Sequence, residues 1–140
     1  MRVLGIDLGE RRIGLAISDP SGVLARPLEV LAARGGEQLA LLVRVVARLA
    51  GEEDGLGGIV IGLPRRLDGS ANEQTARVLA FADALRGRVG QPVLLQDERL
   101  TSIEAESRLA LRDHDWRSRK KKLDAAAAAI ILQDYLDERP

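Results

Sequence analysis

Val3-Leu4-Gly5-Ile6-Asp7-Leu8-Gly9-Glu10-Arg11-Arg12-Ile13-Gly14-Leu15-Ala16-Ile17 decides the fold. Val3–Ile6 and Ile13–Ile17 are apolar and β-rich, and the polar stretch between them carries a glycine suited to a turn. The pattern predicts a hairpin of two buried strands. Pro20-Ser21-Gly22 marks a second turn, and a third strand is expected within Val23–Leu31. Pro27 makes that strand short or places it at a sheet edge.

Downstream the period changes. Leu39, Leu42, Val43, Val46 and Leu49 predict an amphipathic helix over Gly36–Glu52. Ile59-Val60-Ile61 reads as a strand buried on both faces. Ser70-x-x-Glu73 has capping-box spacing and opens a helix to Arg86, with Val78, Leu79, Ala82 and Leu85 inward. Pro92–Leu95 is the next buried strand. Thr101-x-x-Glu104 caps a short helix to Leu111, Arg112–Arg119 reads as a loop, and a helix over Lys121–Leu136 closes the chain. Right-handed crossovers then give an α/β fold, a mixed five-stranded sheet of three antiparallel strands and two parallel ones, with helices on both faces. The alanine run near the end is most simply a close-packed helix face.

With 140 residues the chain is read as a single domain, 1–140. The absence of cysteine excludes disulfides, zinc ribbons and thiolate catalysis, and the lone His114, most simply a loop residue, excludes a multi-histidine metal site. The N-terminus meets Asp7 before any apolar stretch of signal-peptide length, and the longest apolar run, Ala125–Leu132, is eight residues. The expected location is the cytoplasm, with no membrane partner. Twenty-one basic residues balance 21 acidic ones, so a nucleic-acid partner needs a local patch. The densest is Arg117-Ser118-Arg119-Lys120-Lys121-Lys122, either a solvated segment or a phosphate-binding loop just ahead of a helix.

Three acids fall at element ends: Asp7 after the first strand, Asp97-Glu98 after the last, and Asp124 in the first turn of the last helix. Singly each has an ordinary explanation, such as the helix dipole for Asp124. Brought to one rim they repel, and a divalent cation relieves that repulsion. Oxygen donors without His or Cys favour Mg²⁺ or Mn²⁺, and such ions bind phosphate esters. Strand alternation puts Asp97 and Glu98 on opposite faces without choosing between them.

Four blocks carry a resemblance: Gly5-Ile6-Asp7-Leu8-Gly9-x-x-Arg12-Ile13-Gly14-Leu15-Ala16; Gly62-Leu63-Pro64 with Asp68-Gly69-Ser70; Asp97-Glu98-Arg99-Leu100-Thr101-Ser102; and Lys122-Leu123-Asp124-Ala125-x-Ala127-Ala128 before Ile131-Leu132-Gln133-x-Tyr135-Leu136. In this order they resemble the YqgF-type, RuvC-like family, described as Holliday junction resolvases or pre-16S rRNA nucleases. The resemblance spans nearly the whole chain. It implies an RNase H-like fold and a metal-dependent endonuclease whose catalytic, metal-binding acids are Asp7, Glu98 and Asp124. It is the resemblance that selects Glu98 over Asp97.

On that footing two Mg²⁺ or Mn²⁺ ions are expected, with Asp7 shared between them and a product bearing a 5′-phosphate. Arg99, Arg117, Arg119, Lys120, Lys121 and Lys122 are the expected contacts to nucleic acid, structured RNA or branched DNA. Arg65 and Arg66 either join them or are solvated, and the same holds for Arg11 and Arg12. Trp116 is a base wedge or a packed anchor. A junction substrate implies a homodimer, cutting two strands about a two-fold axis. Two rivals stand beside this reading. One is an RNase H-like module that binds without cutting. The other rests on the first block, which also resembles the phosphate-1 turn of sugar kinases and actin. Those need two such domains, and 140 residues supply one.

Overall fold

The structure, a computed structural model, describes residues 1–66, 68–98 and 116–139, with 116–123 as backbone. The Thr101–Glu104 capping box, its helix to Leu111, Arg99 and His114 lie outside the described residues. Five strands, β1 (Arg2–Leu8), β2 (Arg12–Ser18), β3 (Ala25–Ala32), β4 (Leu56–Leu63) and β5 (Val93–Asp97), form one sheet in the order β3-β2-β1-β4-β5. The β3-β2-β1 pairs are antiparallel, and β4 and β5 add in parallel. This is the expected mixed sheet.

Alternation sorts the side chains of the central strands between two cores. Leu4, Ile6, Ile13, Leu15, Ile59 and Ile61 pack against helices α1 (Gly36–Ala50) and α2 (Glu73–Arg86). Val3, Ala16 and Val60 pack on the other face against Ala128, Ile131 and Leu132 of α3 (Trp116–Glu138). Helices therefore cover both faces. Among the described residues no helix is long and apolar enough to cross a membrane.

Three local expectations need correction. Asn72, not Ser70, caps α2: its side chain accepts from the Thr75 backbone N–H at 3.0 Å, and the Thr75 hydroxyl accepts from the Asn72 N–H at 3.0 Å. Ser70 is already committed to Asp68 Oδ1, which its hydroxyl meets at 2.6 Å. Leu79 points outward, because the buried row Thr75, Val78, Ala82 and Leu85 leaves it on the solvent side. β3 needs no correction: of the two alternatives that Pro27 left, it takes the sheet edge, running there for eight residues. It accommodates the proline beside a break in register, where the pairing steps from Leu15–Glu29 to Ala16–Pro27. Finally, α3 begins at Trp116, so the basic run Arg117–Lys122 belongs to the helix rather than to a preceding loop. Arg and Lys are strong helix formers, and nothing in the run interrupts the backbone. Asp124 is consequently not a first-turn residue, and the dipole explanation for it falls.

Candidate active site

Asp7 sits one residue from the end of β1, and Gly14 of β2 is its register partner. On the other side Ile6 pairs with Ile61, which brings Gly62 of β4 alongside Asp7. Asp7 shares its face with Val3, the face that α3 covers. It is thus flanked on both neighbouring strands by residues without side chains.

Each of the two vacant positions is approached by another acid, the one beside Gly62 together with Ile131, whose Cδ1 would stand 2.5 Å from a Cβ there. A Cβ added to Gly14 would stand 2.1 Å from the carbonyl oxygen of Asp124. A Cβ added to Gly62 would stand 2.7 Å from Oε2 of Glu98. Gly5, two residues before Asp7, lets the helix down onto β1: a Cβ there would lie 2.7 Å from Leu132 Cβ. The motif glycines are clearance for α3 and for Glu98. Asp7, Glu98 and Asp124 come from β1, the residue after β5, and α3, and Asp7 lies between the other two.

The carboxyls of Asp7 and Glu98 are hydrogen-bonded to each other. Burial, and then the charge of Asp124, raise Asp7 to about 6, an effect its hydrogen bond from Glu98 only partly offsets. Burial, the Asp7 charge and the same hydrogen bond push Glu98 up to about 8. The pair therefore keeps a proton to higher pH than free carboxyls would, shared across that hydrogen bond. Among the described residues no three acids are yet gathered tightly enough to grip an ion. The donor chemistry nevertheless fits a hard divalent cation: the oxygens are carboxylate, and a cation would relieve the same repulsion that the shared proton now relieves.

Asp97 has a different environment. Gln96, one alternation step before Glu98, reaches α3 through Glu138 at 2.9 Å, so the even positions of this segment face α3. Asp97 faces away and binds Arg65, Nε to Oδ1 at 2.9 Å. Arg65 also donates to the Gly69 carbonyl at 3.3 Å, closing the loop after β4, while Arg66 stays exposed. Gly69 has φ 89°, a conformation that suits glycine alone.

Two residues with a clear part in the site carry no motif. Gln38 of α1, 3% exposed, donates to the carbonyls of Gly9 at 2.7 Å and Ala33 at 3.0 Å. Arg77 of α2 donates to the Gly9 carbonyl at 2.7 Å and to Gln38 Oε1 at 3.1 Å. Together they clamp the turn that follows Asp7. The signal for Gln38 is a polar residue on the apolar stripe Leu42, Val45, Val46 and Leu49.

A mixed sheet in this order, helix-covered on both faces and with an acid at the rim of its first strand, has the RNase H-like fold. Solved structures agree: RuvC of T. thermophilus with a Holliday junction substrate has a TM-score of 0.54 at 19% identity, covering 97% of this chain and 94% of that one. The fowlpox virus resolvase with Holliday junction DNA has a TM-score of 0.55 at 13% identity, covering 98% and 97%. Sequence makes the assignment specific. The family model described as RuvX, Holliday junction resolvase, matches residues 1–138, and this chain belongs to that family. A relative from Anaeromyxobacter sp. (strain Fw109-5), named "Putative pre-16S rRNA nuclease", is 45% identical over 139 residues, 99% of this chain and 98% of its own. Another of the same name, from Pelotomaculum thermopropionicum, is 41% identical over 139 residues, 99% of this chain and 88% of its own.

Proposed function

We propose that this chain is a metal-dependent endonuclease that hydrolyses phosphodiester bonds in structured nucleic acid. The observation that carries the reading is the placement of Asp7 between Glu98, which occupies the space beside Gly62, and Asp124, which occupies the space beside Gly14. Buried acids held together in this way serve no packing purpose, and perturbed carboxyls of this kind mark functional sites. Asp7, Glu98 and Asp124 are the side chains that would hold Mg²⁺ or Mn²⁺, with Asp7 in the central position. When bound, such ions supply Lewis acidity at the phosphate and lower the pKa of water. The chain itself contributes the spacing of its acids, set by Gly14 and Gly62, and the release of the proton held between Asp7 and Glu98.

The relatives' names favour the precursor of 16S rRNA as substrate; we take the cut to fall at its 5′ end, during ribosome assembly in the cytoplasm. The family description favours a four-way DNA junction as the second substrate, which would call for a two-fold symmetric pair of chains. Arg99, Arg117, Arg119, Lys120, Lys121 and Lys122 are assigned to backbone phosphates by their charge and by their places around Glu98 and Asp124 in the sequence. Arg66 is free to join them, whereas Arg65 is engaged by Asp97.

The deciding experiment compares wild type with Asp7→Asn on precursor 16S rRNA ends and on four-way DNA junctions, in Mg²⁺ and in Mn²⁺. Wild type cleaves one of them, and Asp7→Asn loses more than the roughly 10–100-fold typical of disturbing a ligand's partner, with an unchanged circular dichroism spectrum. Equal cleavage by the variant removes the site, and metal-independent cleavage removes the mechanism.

A further inference from the structure

On the side of Asp7 away from Glu98, the surface carries a trough that the acids do not account for. One cavity, of about 420 Å³, is lined by Gly9, Glu10, Arg11, Arg12 and Asp124. A second, of about 500 Å³, is lined by Arg11, Arg12, Ala32, Ala33, Arg34 and Glu37. The two share Arg11 and Arg12, so they form one path from Asp124 to the start of α1.

Three guanidinium groups from two segments meet along this path. The fold brings them there: Arg12 pairs with Ala32 across β2 and β3, and the Ala33 N–H donates to the Arg11 carbonyl at 3.1 Å. Arg2, Arg48, Arg65 and Arg86 each have an ion-pair partner. Among the described residues Arg11, Arg12 and Arg34 have none. The acids lining the path have other attachments. Glu10 accepts from Gln74 at 3.3 Å, and Glu37 lies in the first turn of α1, where backbone N–H groups favour an acid. The second cavity therefore presents three guanidiniums against one carboxylate, Glu37. Neither cavity is lined by an aromatic residue, so the trough has no surface on which bases stack.

We infer that this trough holds successive backbone phosphates of the strand flanking the scissile bond, on the Asp124 side. Guanidinium forks match phosphate oxygens and read no sequence. The inference rests on the nuclease reading for its substrate, but the surface itself is testable apart from catalysis.

The test is equilibrium binding of a fluorescein-labelled four-way DNA junction and of a labelled precursor 16S rRNA end, in EDTA so that no strand is cut, over a series of salt concentrations. The double variant Arg11→Gln/Arg34→Gln is compared with wild type. Its control is Arg44→Gln/Arg88→Gln, two exposed arginines outside both cavities. Each lost phosphate contact makes the slope of log affinity against log salt shallower by roughly 0.7–0.9, and two contacts cost on the order of 10–100-fold in affinity at 0.1 M salt. The trough variant shows both changes, and the control shows neither. An unchanged slope in the trough variant, or an equal change in the control, overturns the inference. Cleavage by wild type in Mg²⁺ or Mn²⁺ is scored separately. Cleavage with an unchanged slope overturns the trough alone. A shallower slope without any cleavage upholds the trough and overturns the nuclease reading.

Discussion

Asp7 and Gly14 face each other across the β1–β2 ladder, and the carbonyl of Asp124 rests where a side chain on Gly14 would have to go. The first-strand acid and the helix acid are thereby set next to each other by a missing methyl group. Gly14→Ala puts a Cβ 2.1 Å from that oxygen and 2.6 Å from the Asp124 carbonyl carbon, both rigid backbone. α3 must lift, at a cost of ~1–3 kcal/mol. Urea denaturation should show that loss, and cleavage should fall further than stability does because Asp124 moves with the helix. A variant with wild-type stability would mean that α3 does not rest on Gly14.

The acid pair makes the stability of the metal-free protein depend on pH. Asp7 releases its proton near 6 rather than 3.8, and Glu98 near 8 rather than 4.5. Both folded values lie above the unfolded ones, so the folded chain holds extra protons between about pH 4 and 8. The stability this confers is complete at the acid end of the window and is lost as pH rises through it. Melting curves in EDTA should give a Tm that falls from pH 5 to pH 8, with a weaker fall in Asp7→Asn. Mg²⁺ should raise Tm more at pH 8 than at pH 5, since it competes with the protons. A Tm flat over this range would refute the pairing.

Asp97 and Glu98 are neighbours with separate tasks. Asp97→Asn loses the exposed bridge to Arg65, worth ~0–1 kcal/mol, and should retain cleavage. Glu98→Gln should lose cleavage and keep its fold. Steady-state rates for the two variants on one substrate decide the matter, and a reversal of their order would exchange the roles.

Gln38 should matter for the turn rather than for chemistry. Gln38→Leu leaves the Ala33 carbonyl without its side-chain donor, and Gly9 with Arg77 alone. Each buried group left unsatisfied costs ~1–3 kcal/mol. Chemical denaturation should show destabilisation in that range. No change would mean that Arg77 alone suffices to hold the turn.

The mixed five-stranded sheet and both helix-covered faces were legible in the sequence, because a buried hairpin followed by alternating helix and strand periods leaves few topologies. Asp7 was legible as an acid after a buried strand. Glu98 was not separable from Asp97 by alternation alone, since the choice depends on which face α3 covers and on Arg65 claiming Asp97. The start of α3 was missed because a run of like charges carries no hydrophobic period, although its residues favour helix. The cap of α2 was misread because Ser70 and Glu73 had the spacing, while Asp68 had the stronger hold on Ser70. Gln38 and Arg77 act through carbonyls distant in sequence, which no local pattern encodes.

The far half of α3 is bolted to the opposite corner of the sheet. Gln133 accepts from the Ala25 N–H at 2.9 Å and donates to the Val23 carbonyl at 2.9 Å. Arg139 donates to the Gly22 carbonyl at 2.9 Å. Nine residues of helix, ~14 Å at 1.5 Å each, separate Asp124 from the first of these bolts. The helix is thus a gauge rod, with its length measured from β3 and its tip at the acids. One residue inserted between Ala125 and Gln133 would swing that tip through ~100° and carry Asp124 off target, while every strand stayed in place.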